Sequence, residues 1–147
     1  MSSSYRQILW CSALCLVTTF VLSPLPAQSR SSPANGILGT WRGSSICVDP
    51  TRDTACHDEE VIYHVDSAAS PTGPVRMQAD KVVNGSRQRM GALQLRYDTT
   101  AHAWWVELST RFHARWSFEP QGDRMVGTLD ELPSGRVVRR VAVRRAS

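Results

Sequence analysis

The chain has 147 residues, a formal net charge of +4, 41% hydrophobic residues and 20% charged residues. This length suits one domain of ordinary size and excludes a multidomain enzyme, a TIM barrel or a complete Rossmann architecture. The balance of apolar and charged residues excludes an intrinsically disordered chain and predicts a packed core.

Residues 1–27 are predicted to form a secretory signal peptide. An uncharged apolar run extends from Ile8 to Leu22, and the Pro24–Ala27 segment ends in a small residue at a cleavage point. A membrane anchor is the lesser alternative, because a transmembrane helix needs about 20 apolar residues. We therefore expect an exported protein, periplasmic or extracellular, whose mature chain has no membrane span. Residues 28–36 offer little to bury and are expected to be a flexible lead-in to a domain over residues 37–147.

The cysteine pattern predicts one disulfide. Cys11 and Cys15 would leave with the signal peptide, so the mature chain keeps only Cys47 and Cys56. An even pair of cysteines in an exported protein indicates a disulfide between them. The loop it would close is short, so the bridge would stabilise the fold by roughly 2–3 kcal/mol at most.

From Ile37 onward, apolar and polar residues alternate in short segments, which predicts β-strands and no helix. Asn84-Gly85 is a strong signal for a tight hairpin turn between two of them. The eight predicted strands are Ile37–Val48, Glu59–Ala68, Val75–Val83, Arg87–Tyr97, Ala103–Ser109, Phe112–Glu119, Arg124–Leu132 and Arg136–Arg145. Eight regularly spaced strands predict an all-β, antiparallel up-and-down meander, and closure into a barrel would remove its two exposed edges. A two-sheet β-sandwich is the alternative fold.

The alternation also predicts which side chains face the interior. The inward set in the fifth and sixth strands is Trp104, Val106 and Leu108, with Phe112, Ala114, Trp116 and Phe118. The other predicted inward residues are Trp41, Val61, Tyr63, Val65, Leu93, Leu95, Tyr97, Met125, Leu129, Val141 and Val143. An eight-stranded barrel can enclose one small ligand. If the barrel is hollow, Tyr63, Tyr97, Trp104 and Trp116 are the predicted ligand-binding residues; the alternative is that they fill the core.

Gly39-Thr40-Trp41 at the start of the first strand resembles the Gly-x-Trp signature of the lipocalin superfamily. The resemblance implies that Trp41 closes one end of the barrel and that an arginine of the last strand packs across its indole ring. Arg139 or Arg140 is the expected partner, because a guanidinium gains cation–π contact and buries its aliphatic stem there. The same segment is similar to nitrobindin-type haem barrels. Those need a proximal histidine late in the chain, and the last histidine here is His113, so no cofactor is expected.

No pattern predicts catalysis or metal binding. His57 to Glu60 is rich in metal-binding residue types, but consecutive strand residues point to opposite faces and cannot converge on one ion. No serine lies in a Gly-x-Ser-x-Gly context. The basic stretch Val137–Arg145 is interpreted as a strand with a solvated arginine face; a patch for phosphate or anionic lipid is the alternative, and nucleic acid is not an expected partner.

Two functional classes follow from the sequence. The first is an exported, non-enzymatic barrel that binds a small hydrophobic ligand. The second is a secreted or envelope interaction module that uses the disulfide loop or outward groups such as Trp105, His113 and Arg115. Fold analogy alone does not choose between them.

Overall fold

The computed structural model describes residues 33–51, 55–66, 70, 73–109 and 113–147. The predicted signal peptide, its cysteines, residues 28–32 and Phe112 lie outside these ranges, as do residues 110–111 between the fifth and sixth predicted strands. The described secondary structure comprises one short helix and eight strands. They are α1 (Pro33–Ile37), β1 (Gly39–Cys47), β2 (Glu59–Asp66), β3 (Val75–Val83), β4 (Ser86–Asp98), β5 (Ala103–Ser109), β6 (His113–Gln121), β7 (Arg124–Glu131) and β8 (Arg136–Arg145).

The strands form a closed antiparallel barrel in sequence order. Each strand pairs with the next, and β8 pairs back onto β1, where Gly43 lies opposite Val143. The predicted up-and-down barrel is confirmed, and the sandwich alternative is wrong. Closure is physically favoured because it satisfies the backbone groups that an open eight-stranded sheet would leave at its two edges.

The predicted hairpin at Asn84-Gly85 is confirmed. Both residues have positive φ angles, 51° and 76°, as a type I′ turn requires. Asparagine and glycine tolerate this conformation better than other residues, so the local sequence determines where β3 ends and β4 begins.

The helix α1 differs from the expectation of a strand that begins at Ile37 and of no helix. Pro33 is its first residue, a position at which proline's fixed φ and missing N–H are tolerated. Ala34 and Ile37 are buried, and the Nε1–H of Trp41 donates a hydrogen bond of 2.8 Å to the Ile37 carbonyl. The helix therefore covers the barrel end that contains Trp41. Five residues are too few for helical periodicity to reveal.

The barrel interior is filled by side chains that alternate along each strand. Nine of the residues predicted on the inward faces of β1, β2, β4, β7 and β8 are buried: Trp41, Val61, Tyr63, Val65, Leu95, Met125, Leu129, Val141 and Val143. Trp104, Ala114 and Phe118 are buried as well, whereas Leu93, Tyr97, Val106 and Trp116 are only partly buried. This partly buried group lies on β4, β5 and β6, so the core is less complete on that side.

Trp41 is fully buried at the barrel end that α1 covers, but the prediction of Arg139 or Arg140 as its arginine partner is wrong. Arg145 lies over the Trp41 ring, with its guanidinium carbon 4.2 Å from the ring centroid. The same guanidinium donates hydrogen bonds to the carbonyls of Leu38 and Gly36. The reason is register: Arg145 lies directly opposite Trp41 in the ladder. Arg139, six residues earlier, is about 20 Å away along the strand.

Arg139 instead holds the opposite end of the barrel together. Its side chain is only 13% exposed, and it donates hydrogen bonds to the Ser45 hydroxyl and carbonyl, the His57 carbonyl and the Glu59 carboxylate at 2.8–3.1 Å. These contacts connect β1, β2 and β8 beside the predicted Cys47–Cys56 disulfide, which is present with a Cα–Cα distance of 5.7 Å. Arg140 points outward and is exposed, because adjacent strand residues face opposite sides.

Candidate functional site

The barrel wall separates between β4 and β5. Among the described residues, ladder pairing between these strands is limited to Arg96, Tyr97 and Asp98 of β4. The first part of β4 pairs with β3 only, and β5 from Val106 onward pairs with β6 only. The two strands therefore diverge toward the disulfide end and leave a lateral opening in the barrel.

An apolar cavity of about 160 Å³ lies beside the unpaired part of β4 and is lined by residues of β2, β3, β4 and β6. The Ala79–Gly91 pair accounts for part of the space, because these two small residues face each other across β3 and β4. Met90, which is 43% exposed, lies at the entrance. The complete lining is Tyr63, Ala79, Met90, Gly91, Leu93, Trp116 and Phe118.

Three aromatic rings form one side of the cavity. Trp116 and Phe118 are two residues apart on β6, so both point inward, and their rings stack at 5.4 Å with an angle of 14°. Phe118 also meets Tyr63 edge to face at 5.8 Å. Gly127 lies opposite Phe118, and a Cβ atom at this glycine would be 2.7 Å from the ring. Glycine therefore lets the Phe118 ring lie flat against β7.

The cavity has one buried hydroxyl group with a shifted pKa. Burial raises the pKa of Tyr63 above its ordinary value of 10.0, and the nearby Arg139 charge only partly opposes the shift. The phenol is therefore neutral throughout the physiological pH range. A neutral phenol can both donate and accept a hydrogen bond.

The structure brings together two of the four predicted ligand-binding residues. Tyr63 and Trp116 line the cavity, whereas Tyr97 and Trp104 pack against each other at 5.1 Å in the paired section of β4 and β5. Trp104 lies opposite Phe118, and Trp116 opposite Val106, so the two tryptophans are diagonal neighbours. Trp104 is fully buried and does not line the cavity, so it is a core residue.

Sequence reasoning missed Ala79, Met90 and Gly91. The β3–β4 register shifts between Ala79 and Asp80, which leaves Met90 as an extra residue in β4. Such a bulge moves neighbouring side chains from one face to the other. The available signal was Gly91 inside a predicted strand, because an isolated glycine there is typical of a bulge or a close backbone approach.

Charged residues border the cavity toward the disulfide end. Glu59 shares the inward face of β2 with Tyr63, and its carboxylate lies 3.4 Å from the Lys81 ammonium and 3.1 Å from the Arg139 guanidinium. The carboxylate is therefore compensated within the protein. The lateral opening, with its exposed Met90, is the more apolar route into the cavity.

The outward groups proposed for protein interaction contact one another. The Arg115 guanidinium lies 4.9 Å from the Trp105 ring centroid and 2.5 Å from the Glu107 carboxylate. His113 lies 3.5 Å from the same carboxylate. The hydrogen bond that the Arg115 guanidinium donates to the Glu107 carboxylate holds the pKa of Glu107 below its ordinary value, and His113 makes a smaller contribution. This cluster is satisfied internally and gives no specific indication of a partner.

Three further polar residues, Thr40, His64 and Asp80, lie on the outer face of β1, β2 and β3. The Thr40 hydroxyl and His64 Nδ1 are 3.0 Å apart, but His64 Nε2 is 3.9 Å from the Asp80 carboxylate, which is too far for a hydrogen bond. No group of three or more potential metal ligands occurs in the part of the chain that the structure describes. The same part has no helix with the length and apolar character required to cross a membrane.

Comparisons with protein-family models, with curated proteins and with solved structures found no match for this chain. Its closed antiparallel eight-stranded barrel is consistent with a lipocalin-like fold. Indications of function therefore come from the cavity and the surfaces of this barrel.

Proposed function

We propose that the protein is a non-catalytic, exported binding protein that takes a small apolar group into its barrel between β4 and β5. The supporting observation is the apolar cavity of about 160 Å³, which lies next to the gap in strand pairing. Its lining combines aromatic rings with a single neutral hydroxyl group, the combination typical of sites for small hydrophobic ligands.

The cavity volume limits the ligand. A dry apolar cavity of about 150 Å³ is large enough to hold benzene, whereas sites for whole drug-sized molecules measure about 300–1,000 Å³. The enclosed part of the ligand is therefore an aromatic ring or a short acyl segment, and the rest of a longer molecule would extend through the opening past Met90. Burial of six carbons contributes about 5 kcal/mol at about 0.8 kcal/mol each, and because association costs part of this energy, we expect a Kd of about 0.2 mM or weaker.

Titration with benzene tests this function by calorimetry and by the shift in melting temperature. Ala79→Leu adds bulk inside the cavity, and we expect it to abolish binding because the leucine occupies the site. Ala92→Leu makes the same chemical change on the outward face of β4, where the alanine is exposed, and should bind benzene like the wild type. Equal binding by both variants, or no binding by the wild type, would favour the interaction-module alternative.

Export is supported by the Cys47–Cys56 disulfide, because disulfides persist in oxidising compartments. N-terminal sequencing of the secreted or periplasmic protein tests it, and we expect the mature chain to begin near Gln28. A chain that remains in the cytoplasm and still begins at Met1 would contradict this part of the proposal.

A further inference from the structure

Three arginines lie side by side on the outer face of the barrel. Arg124 of β7 is opposite Arg144 of β8, and Arg144 is also opposite Arg42 of β1. Because neighbouring strands are about 4.8 Å apart, three positive charges are aligned across three strands. We call these residues the arginine row. Like charges directly opposite each other destabilise a sheet, so the row needs an explanation other than fold stability.

The row is poorly compensated by carboxylates. Arg144 lies 3.3 Å from the Asp123 carboxylate, and both side chains are exposed. Within the described ranges, Arg42 and Arg124 take part in none of the ion pairs. In the described ranges only the Arg144 guanidinium of the row is paired with a carboxylate, and that pair is solvated, which leaves most of the positive charge of the row available to an anion.

The arginine row borders a groove of about 450 Å³. Beside the row, Val126 of β7 is opposite Ala142 of β8, and both side chains are short. Gly43 of β1 also lines the groove, and a Cβ atom at this position would be 2.2 Å from the Ala142 carbonyl oxygen. The surface of the groove is therefore formed by Val126, Ala142 and Gly43, which are shorter than the arginine side chains beside them. This gives an anion a recess in addition to a charged surface.

Further positive charge surrounds the groove. Arg42 also lines an adjoining recess together with Arg87, Arg145 and His64. The hydrogen bonds of Arg145 go to the Leu38 and Gly36 carbonyls, which carry no net charge. The local potential is therefore positive beyond the row itself, and it would attract an anion from a distance.

We propose that the groove beside the arginine row binds a phosphate group. A guanidinium presents its N–H donors in a planar fork that matches phosphate oxygens, and several such forks around one recess favour this anion over chloride. Bound phosphate would also relieve the repulsion among Arg42, Arg124 and Arg144. The phosphate could come from a lipid headgroup or from a soluble phosphorylated molecule, which share this chemistry.

The site is independent of the apolar cavity. In an eight-stranded barrel, the β7–β8–β1 face lies on the side opposite the β4–β5 opening. Loss of benzene binding would therefore leave the phosphate proposal intact, and the reverse also holds.

The test measures binding of inorganic pyrophosphate by calorimetry, in buffer of about 0.1 M ionic strength. We expect the double variant Arg42→Gln, Arg124→Gln to lose at least about tenfold in affinity, because it removes two charge-assisted donors. The control Arg76→Gln, Arg96→Gln removes the same net charge from β3 and β4. Its affinity should stay within about twofold of the wild type, because charges that far away are screened.

Co-sedimentation with phosphatidylglycerol vesicles, against phosphatidylcholine vesicles, identifies the source of the phosphate. If the wild type binds the anionic vesicles and the Arg42→Gln, Arg124→Gln variant does not, the ligand is a lipid headgroup. If the wild type binds pyrophosphate but not the vesicles, the ligand is a soluble phosphorylated molecule. The melting temperature of the row variant in phosphate-free buffer should equal or exceed that of the wild type, which also shows that the variant folds. Absence of both kinds of binding in the wild type, or an equal loss in the control variant, would overturn the proposal.

Discussion

Arg139 and Arg140 are adjacent on β8 but should differ sharply in their importance for stability. The Arg139 side chain is 13% exposed and makes hydrogen bonds to Ser45 of β1, to Glu59 of β2, and to Cys56 and His57 at the end of the disulfide loop. Arg140 points to solvent. The same substitution, arginine to leucine, therefore removes a buried network at one position and a solvated charge at the next.

The expected loss at Arg139 follows from its contacts. Breaking a fully buried ion pair costs about 3–5 kcal/mol. The Glu59 carboxylate is 24% exposed and keeps Lys81 at 3.4 Å, which lowers the loss. The Ser45 and His57 carbonyls lose their charged donor, and each net hydrogen bond to a charged group contributes about 1.5–3 kcal/mol. Since these terms are not additive, we expect Arg139→Leu to cost about 2–4 kcal/mol and Arg140→Leu about 0.5 kcal/mol or less.

Urea denaturation of both variants measures these free energies of unfolding, and Glu59→Gln with its double mutant gives the coupling between Arg139 and Glu59. We expect a coupling of about 1 kcal/mol or more, because the two groups are in direct contact. If Arg139→Leu and Arg140→Leu unfold at the same urea concentration with the same slope, the assignment of Arg139 as the connection between β1, β2 and β8 is wrong.

Substitutions at Trp41, at the disulfide and at Asp98 should also change stability. Trp41→Ala should lower the free energy of unfolding by about 3–5 kcal/mol, because it removes a fully buried aromatic ring; an unchanged melting temperature would show that the Trp41 contacts are unimportant. Replacement of Cys47 and Cys56 by serine should cost about 2–3 kcal/mol, and thiol labelling of the unreduced, unfolded mature protein should find no reactive cysteine. Hydrogen bonds from the Ala101 and Thr100 amides hold the pKa of Asp98 below 3.8. Its stabilising effect is therefore fully present above that pH and is lost as the pH falls through the lower folded value. Asp98→Ala should thus lower the melting temperature at pH 7, and the difference from the wild type should shrink in acid.

Local sequence signals were sufficient to predict the antiparallel eight-stranded barrel. Asn84-Gly85 specifies its turn through the φ angles that the turn requires. Alternation along β2 and β8 correctly predicted buried Val61, Tyr63, Val141 and Val143. These features depend on residues close together in the chain, so one sequence is enough to identify them.

Features that depend on register were not predictable from local patterns. The choice of Arg145 over Arg139 as the Trp41 partner requires the β1–β8 register, which links residues about one hundred positions apart. The cavity depends on the bulge at Met90 and on the divergence of β4 from β5. Both arise from long-range pairing. The sequence therefore identified Tyr63 and Trp116 as ligand-binding residues and placed Leu93 and Phe118 on the inward face, but it missed Ala79, Met90 and Gly91.

The position of bound benzene shows directly whether the barrel takes up a small apolar group through the opening between β4 and β5. Intermolecular nuclear Overhauser effects from benzene protons should reach the Met90 methyl group and the Trp116 ring, both of which line the cavity. They should not reach the Met125 methyl group, which is fully buried elsewhere in the core. Contacts to Met125 in place of Met90, or no contacts at millimolar benzene, would contradict the proposed binding site.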